Sequence, residues 1–500
     1  MGSQVTKRNI LIVTCEPLPL PDAPATGGGL RAHNLGEALR SQGHSVVYSM
    51  PRACLDHSSS VPEQWRKQAH SVTDIKELVR DIDPDVVLFA NWALAGESPT
   101  LDCPVVLDLN GSLILENYYR GNALIRDDAC KKLVAMTKID MCITGSVRQK
   151  MYFMAWALMA GMEPDSLMME VIPFSLPDDL PDPSKPREPL LMMAGYDWPW
   201  LDGGHVVETV SNTLEHLKSG RLDVYTSTPR YRDVMPGEDS SDNRTGHLHD
   251  ISLPRVSVKA PVVYEELTKK LNEGLAAVDV WSSSPERELA YPARTLVYMW
   301  AGLPVIIGSN SALAERVSSY EAGWIVDPAK STELADLLRK IIGDPAVAAR
   351  RGKNAQRLIR DHFLRSRTIS PLVRFCEELP TRVRKGRILP LVEKAHDLER
   401  ELADLGTARD RLERRLSETL EEMRHHRETY ERRLAEMRSE HDLFSNVHRR
   451  PRGFAILKSS TLLRRSLRRS CCGFPVLVYL LALAGIGERL HRLWMRTKRR

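Results

Sequence analysis

The stretch SSSPERELAYPARTLVYMWAGLPVI, Ser282 to Ile306, decides how this chain folds. It opens where an apolar, strand-like run ends in VWSSS. A loop then carries Glu286 and Glu288, and ARTLVYMWAG reads as a helix closed by Gly302. Arg294 at the start of that helix adds a fixed positive charge to the helix dipole, which makes a seat for a diphosphate. A carboxylate in the preceding loop can accept hydrogen bonds from sugar hydroxyls. The plainer reading of the same residues is a surface loop with a solvated acid pair.

Outward from this stretch the pattern is strand–helix alternation. In the first half NILIVT, HSVVYSM, PDVVLFA, CPVVLDL, DMCITGS and MEVIPFS read as buried strands. LPDDLPDPSKPREP, residues 176–189, holds five prolines and reads as a linker. After it come LLMMAG, RLDVYTS, AAVDVWS, LPVIIG and GWIVDP as strands, with YEELTKKLNEG, ARTLVYMWAG and STELADLLRKIIG as helices. Such alternation implies βαβ units and parallel sheets covered on both faces. The fold class expected is α/β, with two tandem doubly wound Rossmann-like domains followed by an α-helical coiled coil and a basic hydrophobic tail. The boundaries expected are 1–178, a linker 179–189, 190–345, returning helices 346–380, a coiled coil 388–445 and a tail 446–500.

The coiled coil rests on Leu391, Leu398, Leu405 and Leu412 repeating every seventh position. Ala395, Leu402, Leu416, Met423 and Tyr430 form the companion seam, and Arg409 is its polar exception. A single solvated helix is the alternative; the seam favours a homodimer. In the tail, Asn446 to Arg500 hold fourteen Lys or Arg against one acid, Glu488, so of the net +5 this segment carries +13 and the rest 5 − 13 = −8. Cys471 to Gly487 is a seventeen-residue run without charge, just short of a comfortable membrane span. A membrane-surface or re-entrant helix on anionic lipid is the favoured reading; a true span or burial against a partner are the alternatives. A body at −8 repels phosphate backbones, so nucleic acid is not expected as a partner.

The eight cysteines show no metal-ligand spacing, and Cys15, Cys103 and Cys142 lie in or beside apolar runs, as reduced thiols do. The start reads as lacking a secretory signal, and the expected location is cytoplasmic, at the inner membrane face. His247 and His249, in a polar loop, read as solvated. TGGGLRAHN follows the first strand; its glycines allow close backbone approach, and the helix start offers N–H groups to an anion.

The segment 282–306 resembles the donor-site signature of GT-B glycosyltransferases, among them the retaining family-four enzymes of bacterial surface-polysaccharide synthesis. Pro292, Arg294, Tyr298, Ala301, Gly302, Pro304 and Val305 fill that pattern in order. The resemblance spans about residues 9–363: GGGLRAHNLGEALRSQGHSVVY is similar to the family's opening loop and helix, VVLDLNGSLILEN to a polysaccharide-subgroup segment, and AGYDWPWLDG to the turn opening the donor domain. It implies a nucleotide-sugar as co-substrate, no metal, and a glycan or lipid-linked acceptor over the first domain. Glu286 would contact the donor sugar and Asp108 a sugar or the acceptor, as the catalytic pair. Gly28, Gly29, Glu288, Arg294, Tyr298 and Gly195 would bind the donor; His33 is a further polar candidate.

The chain departs from the pattern at Val297, where the family's second acid usually meets the ribose hydroxyls, and at Asp197 and Asp202, where the donor turn usually carries Arg and Lys. Losing hydrogen bonds to a charged group costs about 1.5–3 kcal/mol. That weakens nucleotide binding without abolishing transfer. A hexosyl transferase is therefore expected, with a catalytically degenerate, membrane-bound coiled-coil scaffold as the alternative.

Overall fold

The computed structural model describes residues 6–121, 125–163, 167–183, 188–226, 248–289, 291–379 and 390–447. The chain divides into two compact units, Met1–Leu405 and Gly406–Arg500. The first unit holds two six-stranded parallel sheets. The strands of the first are β1 (Asn9–Val13), β2 (Ser45–Ser49), β3 (Val86–Phe89), β4 (Val105–Asp108), β5 (Met141–Thr144) and β6 (Met168–Val171), ordered β2-β1-β3-β4-β5-β6. Those of the second are β7 (Leu190–Ala194), β8 (Arg221–Tyr225), β9 (Val256–Lys259), β10 (Ala276–Asp279), β11 (Val305–Gly308) and β12 (Gly323–Val326), ordered β12-β11-β10-β7-β8-β9. The order reverses beside β1 in one sheet and between β7 and β10 in the other. In open α/β sheets ligands bind at such switch points, outside the carboxyl ends of the strands.

All twelve strands run parallel to their neighbours, so both faces of each sheet must be covered by helices. This is why the strands read as unbroken apolar runs: VVLF of β3 and VVLD of β4 are buried at every position. β9 was not expected from the sequence. It is an edge strand whose four residues are all half-buried, and its Lys259 pairs with Asp223 of β8 at 2.6 Å, so it lacks the apolar signal of a central strand.

The two domains are joined twice. After β6 the chain crosses to the second domain. Helix Pro345–His362 packs on the second domain's core through Ala355, Leu358 and Ile359. Then Leu364 pairs with Leu176 of the outgoing crossing, with Leu176 N donating to Phe363 O and Arg365 N to Leu176 O. Helix Ser370–Glu377 ends on the first domain, burying Leu372, Phe375 and Cys376 beside Ile10 and Ile12.

A single helix, Pro390–Val447, follows. Along it Leu398, Leu402, Leu405, Leu412, Leu416, Met423 and Tyr430 are all at least half exposed. The expected tail from 448 onward lies outside the described residues. Among the described residues no helix is long and apolar enough to cross a membrane.

One buried cation stands apart. Lys132, on helix Ile125–Met136, is fully buried, and its Nζ has no hydrogen-bond partner among the described residues. The rings of Tyr152, Phe153 and Trp156 surround it at 4.9, 4.4 and 4.2 Å. Their faces favour the ammonium by about 2 kcal/mol, whereas burying an uncompensated charge costs several kcal/mol. Burial wins and pushes the amine well below its ordinary pKa. Between the folded and the ordinary value the unfolded chain binds the extra proton, so stability rises with pH through that window. Lys132→Met should stabilise the fold by about 1–4 kcal/mol near neutrality. It should also flatten the rise in stability that the unsubstituted protein shows toward alkaline pH, as measured by urea unfolding across pH.

Candidate functional site

A cleft between the two sheets is lined from both domains. The first contributes Glu16, Gly27, Gly28, Arg31 and Asp108; the second Gly195, Tyr196, Glu286, Arg294 and Val297. Each reaches the cleft because it lies at or just past the carboxyl end of a strand, or at the start of the helix that follows.

The second-domain wall is organised by Asp279, the last residue of β10, which is 1% exposed. Its carboxylate accepts from Arg287 Nη2 at 3.2 Å, from Trp281 Nε1 and from Thr295 Oγ1. Burial alone would raise its pKa, but Arg287, Arg294 and these two donors hold it below the usual carboxylate range. One carboxylate thus ties down helix Pro285–Leu289 through Arg287 and helix Ala293–Trp300 through Thr295. The residues expected to form a loop at 285–289 are in fact that short helix.

Glu286 sits on it, buried, with Oε2 lacking any partner among the described residues. Burial raises its pKa against the pull of Arg287 and Arg294. An unsatisfied buried carboxyl in a cleft marks a place where something else is meant to bind. Glu288, expected beside it as a donor contact, is exposed and does not line the cleft; it accepts from Ser283 Oγ at 3.3 Å. On a helix the side chains at i and i+2 point different ways.

Arg294 is half-buried at the helix start. Its Nη2 donates to Tyr196 O at 3.1 Å, and its guanidinium lies 5.3 Å from the ring centre of Trp281. Gly195 makes room for it: φ there is +128°, and a Cβ would come within 2.7 Å of Arg294 Cζ. Tyr298 lines the cleft as well. Its buried hydroxyl donates to Ala194 O and accepts from Ala194 N, both at 2.7 Å, so it braces the end of β7. Val297, one turn beyond Arg294, lines the cleft with its methyl groups and is 5% exposed.

On the first-domain wall both oxygens of Asp108 are taken by Arg31, Nε at 2.6 Å and Nη2 at 3.0 Å, with both side chains buried. Arg31 Nη1 is left without a partner among the described residues, so this pair offers the cleft a donor as well as a carboxylate edge. The amides expected to await an anion at Gly28 and Gly29 are not free. Glu16 Oε2 accepts from both, at 3.0 and 3.3 Å. Gly29 is required by the close approach of the preceding loop, since a Cβ would lie 1.9 Å from Pro17 O.

Asp197 is buried, accepting from Leu248 N at 2.8 Å and facing His249 Nδ1 at 3.3 Å. His249 is exposed, as expected, with this contact to Asp197; His247 lies outside the described residues. Asp202 accepts from Ser282 Oγ at 3.1 Å. His33 packs on Tyr48, ring centres 5.8 Å apart, away from the cleft lining. Among the described residues no cluster of His, Cys, Asp and Glu could hold a metal ion. Sequence reasoning missed Glu16, Arg31 and Asp279. It also missed Arg120, whose guanidinium reaches from the first domain to within 5.1 and 5.0 Å of the stacked rings of Trp198 and Trp200. The signal for Asp279 was present: an acid closing an apolar strand has to be satisfied by its neighbours.

Two substitutions test this geometry. Thr295→Val removes a donor from a buried carboxylate and should cost about 1–3 kcal/mol in urea unfolding. Gly195→Ala, at positive φ and against Arg294, should cost about as much.

Comparison with known proteins agrees with this architecture. Residues 294–358 match the family model described as Glycosyl transferases group 1. No curated protein sequence matches the chain significantly. Among solved structures, sucrose-phosphate synthase from Thermosynechococcus elongatus superposes with TM-score 0.54 at 17% identity, over 75% of this chain and 99% of that one. Anabaena HepE in complex with UDP-glucose gives TM-score 0.54 at 14% identity, over 74% of this chain and all of that one. At these identities the likeness is one of fold. The first unit has the two-domain GT-B architecture, and the group 1 glycosyl transferase match begins at the cleft-lining Arg294 and ends at residue 358, within helix Pro345–His362.

Proposed function

We propose that the protein transfers a sugar from a nucleotide-sugar donor to a surface-glycan or lipid-linked acceptor. The observation that carries this reading is the unpartnered buried carboxyl of Glu286 in the same cleft as Arg294. In this reading the donor diphosphate lies against Arg294 and the start of helix Ala293–Trp300, and Glu286 receives hydroxyls of the donor sugar. As the sugar–phosphate bond stretches, positive charge grows on the sugar ring and negative charge on the leaving diphosphate. Arg294 is prepositioned for the second of these, which is where electrostatic catalysis acts. Its contacts with Tyr196 O and Trp281 fix it before the substrate arrives, so little reorganisation is needed in the transition state. The acceptor enters over the first domain, beside Glu16 and the Arg31–Asp108 pair. UDP-glucose in HepE supports a nucleotide-sugar donor by analogy of fold. Retention of anomeric configuration follows the family-four resemblance.

The seam of helix Pro390–Val447 fits a homodimeric coiled coil, because a row of leucines this exposed in one chain is buried by a partner helix. The basic segment 446–500 fits an anionic membrane surface, placing the enzyme at the inner membrane face. Two observations favour the second reading, a degenerate transferase kept as a scaffold: Val297 where the pattern has an acid, and Glu16 already seated on the amides of Gly28 and Gly29.

Thermal unfolding of the full chain with UDP-, GDP-, dTDP- and ADP-sugars separates the two. The transferase reading requires an upward shift with one donor that is lost in Arg294→Ala. Val297→Glu, which restores an acceptor for ribose hydroxyls, should then tighten that donor roughly tenfold. Absence of any shift at millimolar donor, in both the unsubstituted protein and Val297→Glu, would favour the scaffold.

A further inference from the structure

Helix Val147–Met159 follows β5 on the first domain, and its sequence, VRQKMYFMAWALM, is apolar nearly all the way round. A helix of that kind is normally enclosed on every side. Here Gln149, Phe153 and Ala157 face the core, while Val147, Met151, Leu158 and Met159 are 57%, 63%, 52% and 44% exposed. Outside the long C-terminal helix, the described residues include six large hydrophobics this exposed, and four of them are on this one helix. The exposure is therefore a face and not scatter.

At 3.6 residues per turn, Val147, Met151, Met154, Ala155 and Leu158 share an arc of about 100°. Arg148 lies on one shoulder of that arc and Lys150 on the other, and the helix contains no acid. An apolar stripe between cationic shoulders is the pattern of a helix lying in a membrane interface, side chains in the acyl boundary and cations at the headgroups. Tyr152 and Trp156 are turned the other way, onto the first domain's core and Lys132, so the exposed face itself is aliphatic. A second copy of the same face would bring its cations against these cations, so self-association is the poorer fit.

We infer that the exposed face of helix Val147–Met159 seats on an anionic lipid bilayer. The contact is distinct from the one proposed for 446–500 and stands independently of the transferase reading. It gives the cleft an orientation. Ser146 Oγ donates to Leu289 O at 2.6 Å and Arg148 Nη1 to Glu288 O at 2.9 Å, so the first turn of this helix is bonded to the helix that carries Glu286. A bilayer on the stripe would lie beside the cleft.

The test is hydrogen–deuterium exchange on the full chain, with vesicles of phosphatidylcholine alone and of phosphatidylcholine mixed with phosphatidylglycerol. It is run alongside vesicle flotation. Peptides covering 147–159 should gain protection only with the anionic vesicles. Met151→Asp combined with Leu158→Asp should abolish that protection and weaken flotation roughly tenfold, while Met151→Leu with Leu158→Met should keep both. Since positions 151 and 158 are exposed, the aspartate variant should unfold at the same temperature as the parent. Protection confined to 446–500 would overturn the inference in favour of the tail alone. Protection of 147–159 that grows with protein concentration in the absence of vesicles would overturn it in favour of a second copy.

Discussion

The carboxylate of Asp279 is the constraint on which the second domain's wall depends. A charge this deeply buried survives only if both of its oxygens are paired. Using them draws in an indole, a guanidinium and a hydroxyl from three separate places in the sequence. The strand end, the short helix behind Glu286 and the start of the helix behind Arg294 are thereby held by one group. Glu286 can be left unsatisfied because Asp279 is not: the stability lost at one carboxyl is offset by the network around the other.

The first-domain wall is built on the same logic with the opposite outcome. Asp108 is neutralised by Arg31 and Glu16 is placed on backbone amides, so the acids near this wall face the cleft with most of their lone pairs occupied. What they leave exposed is a directional surface of fixed dipoles with little free negative charge. A diphosphate arriving on the opposite wall meets less repulsion than a count of acids would imply.

The parallel sheets were legible in the sequence because strands covered on both faces read as apolar runs; eleven of the twelve were expected, with Glu170 in β6 and Asp223 in β8 interrupting the run without erasing it. β9 escaped because Ser257 and Lys259 alternate with its two valines and none of its four residues is fully buried. That Arg294 and Glu286 lie in the cleft was legible from local order: a strand end, then acids, then a helix start with a cation. Glu288 points away from the cleft because Pro285–Leu289 is a helical turn, which sends the side chains of Glu286 and Glu288 apart where a loop would fix neither. Glu16 and Arg31 were invisible for a different reason. Their partners are 12 to 13 and 77 residues away in the chain, and no local pattern encodes that distance.

The double crossing between the domains has a mechanical consequence. The outgoing chain at Leu176 and the returning chain at Leu364 are bonded side by side, main chain to main chain. Two adjacent parallel tethers act as one narrow strap. A strap resists sliding of one domain across the other and resists their separation, but it bends readily about its own width. Any bending there would also have to part the bonds from Ser146 and Arg148 to Leu289 O and Glu288 O, which join the same two domains beside the cleft.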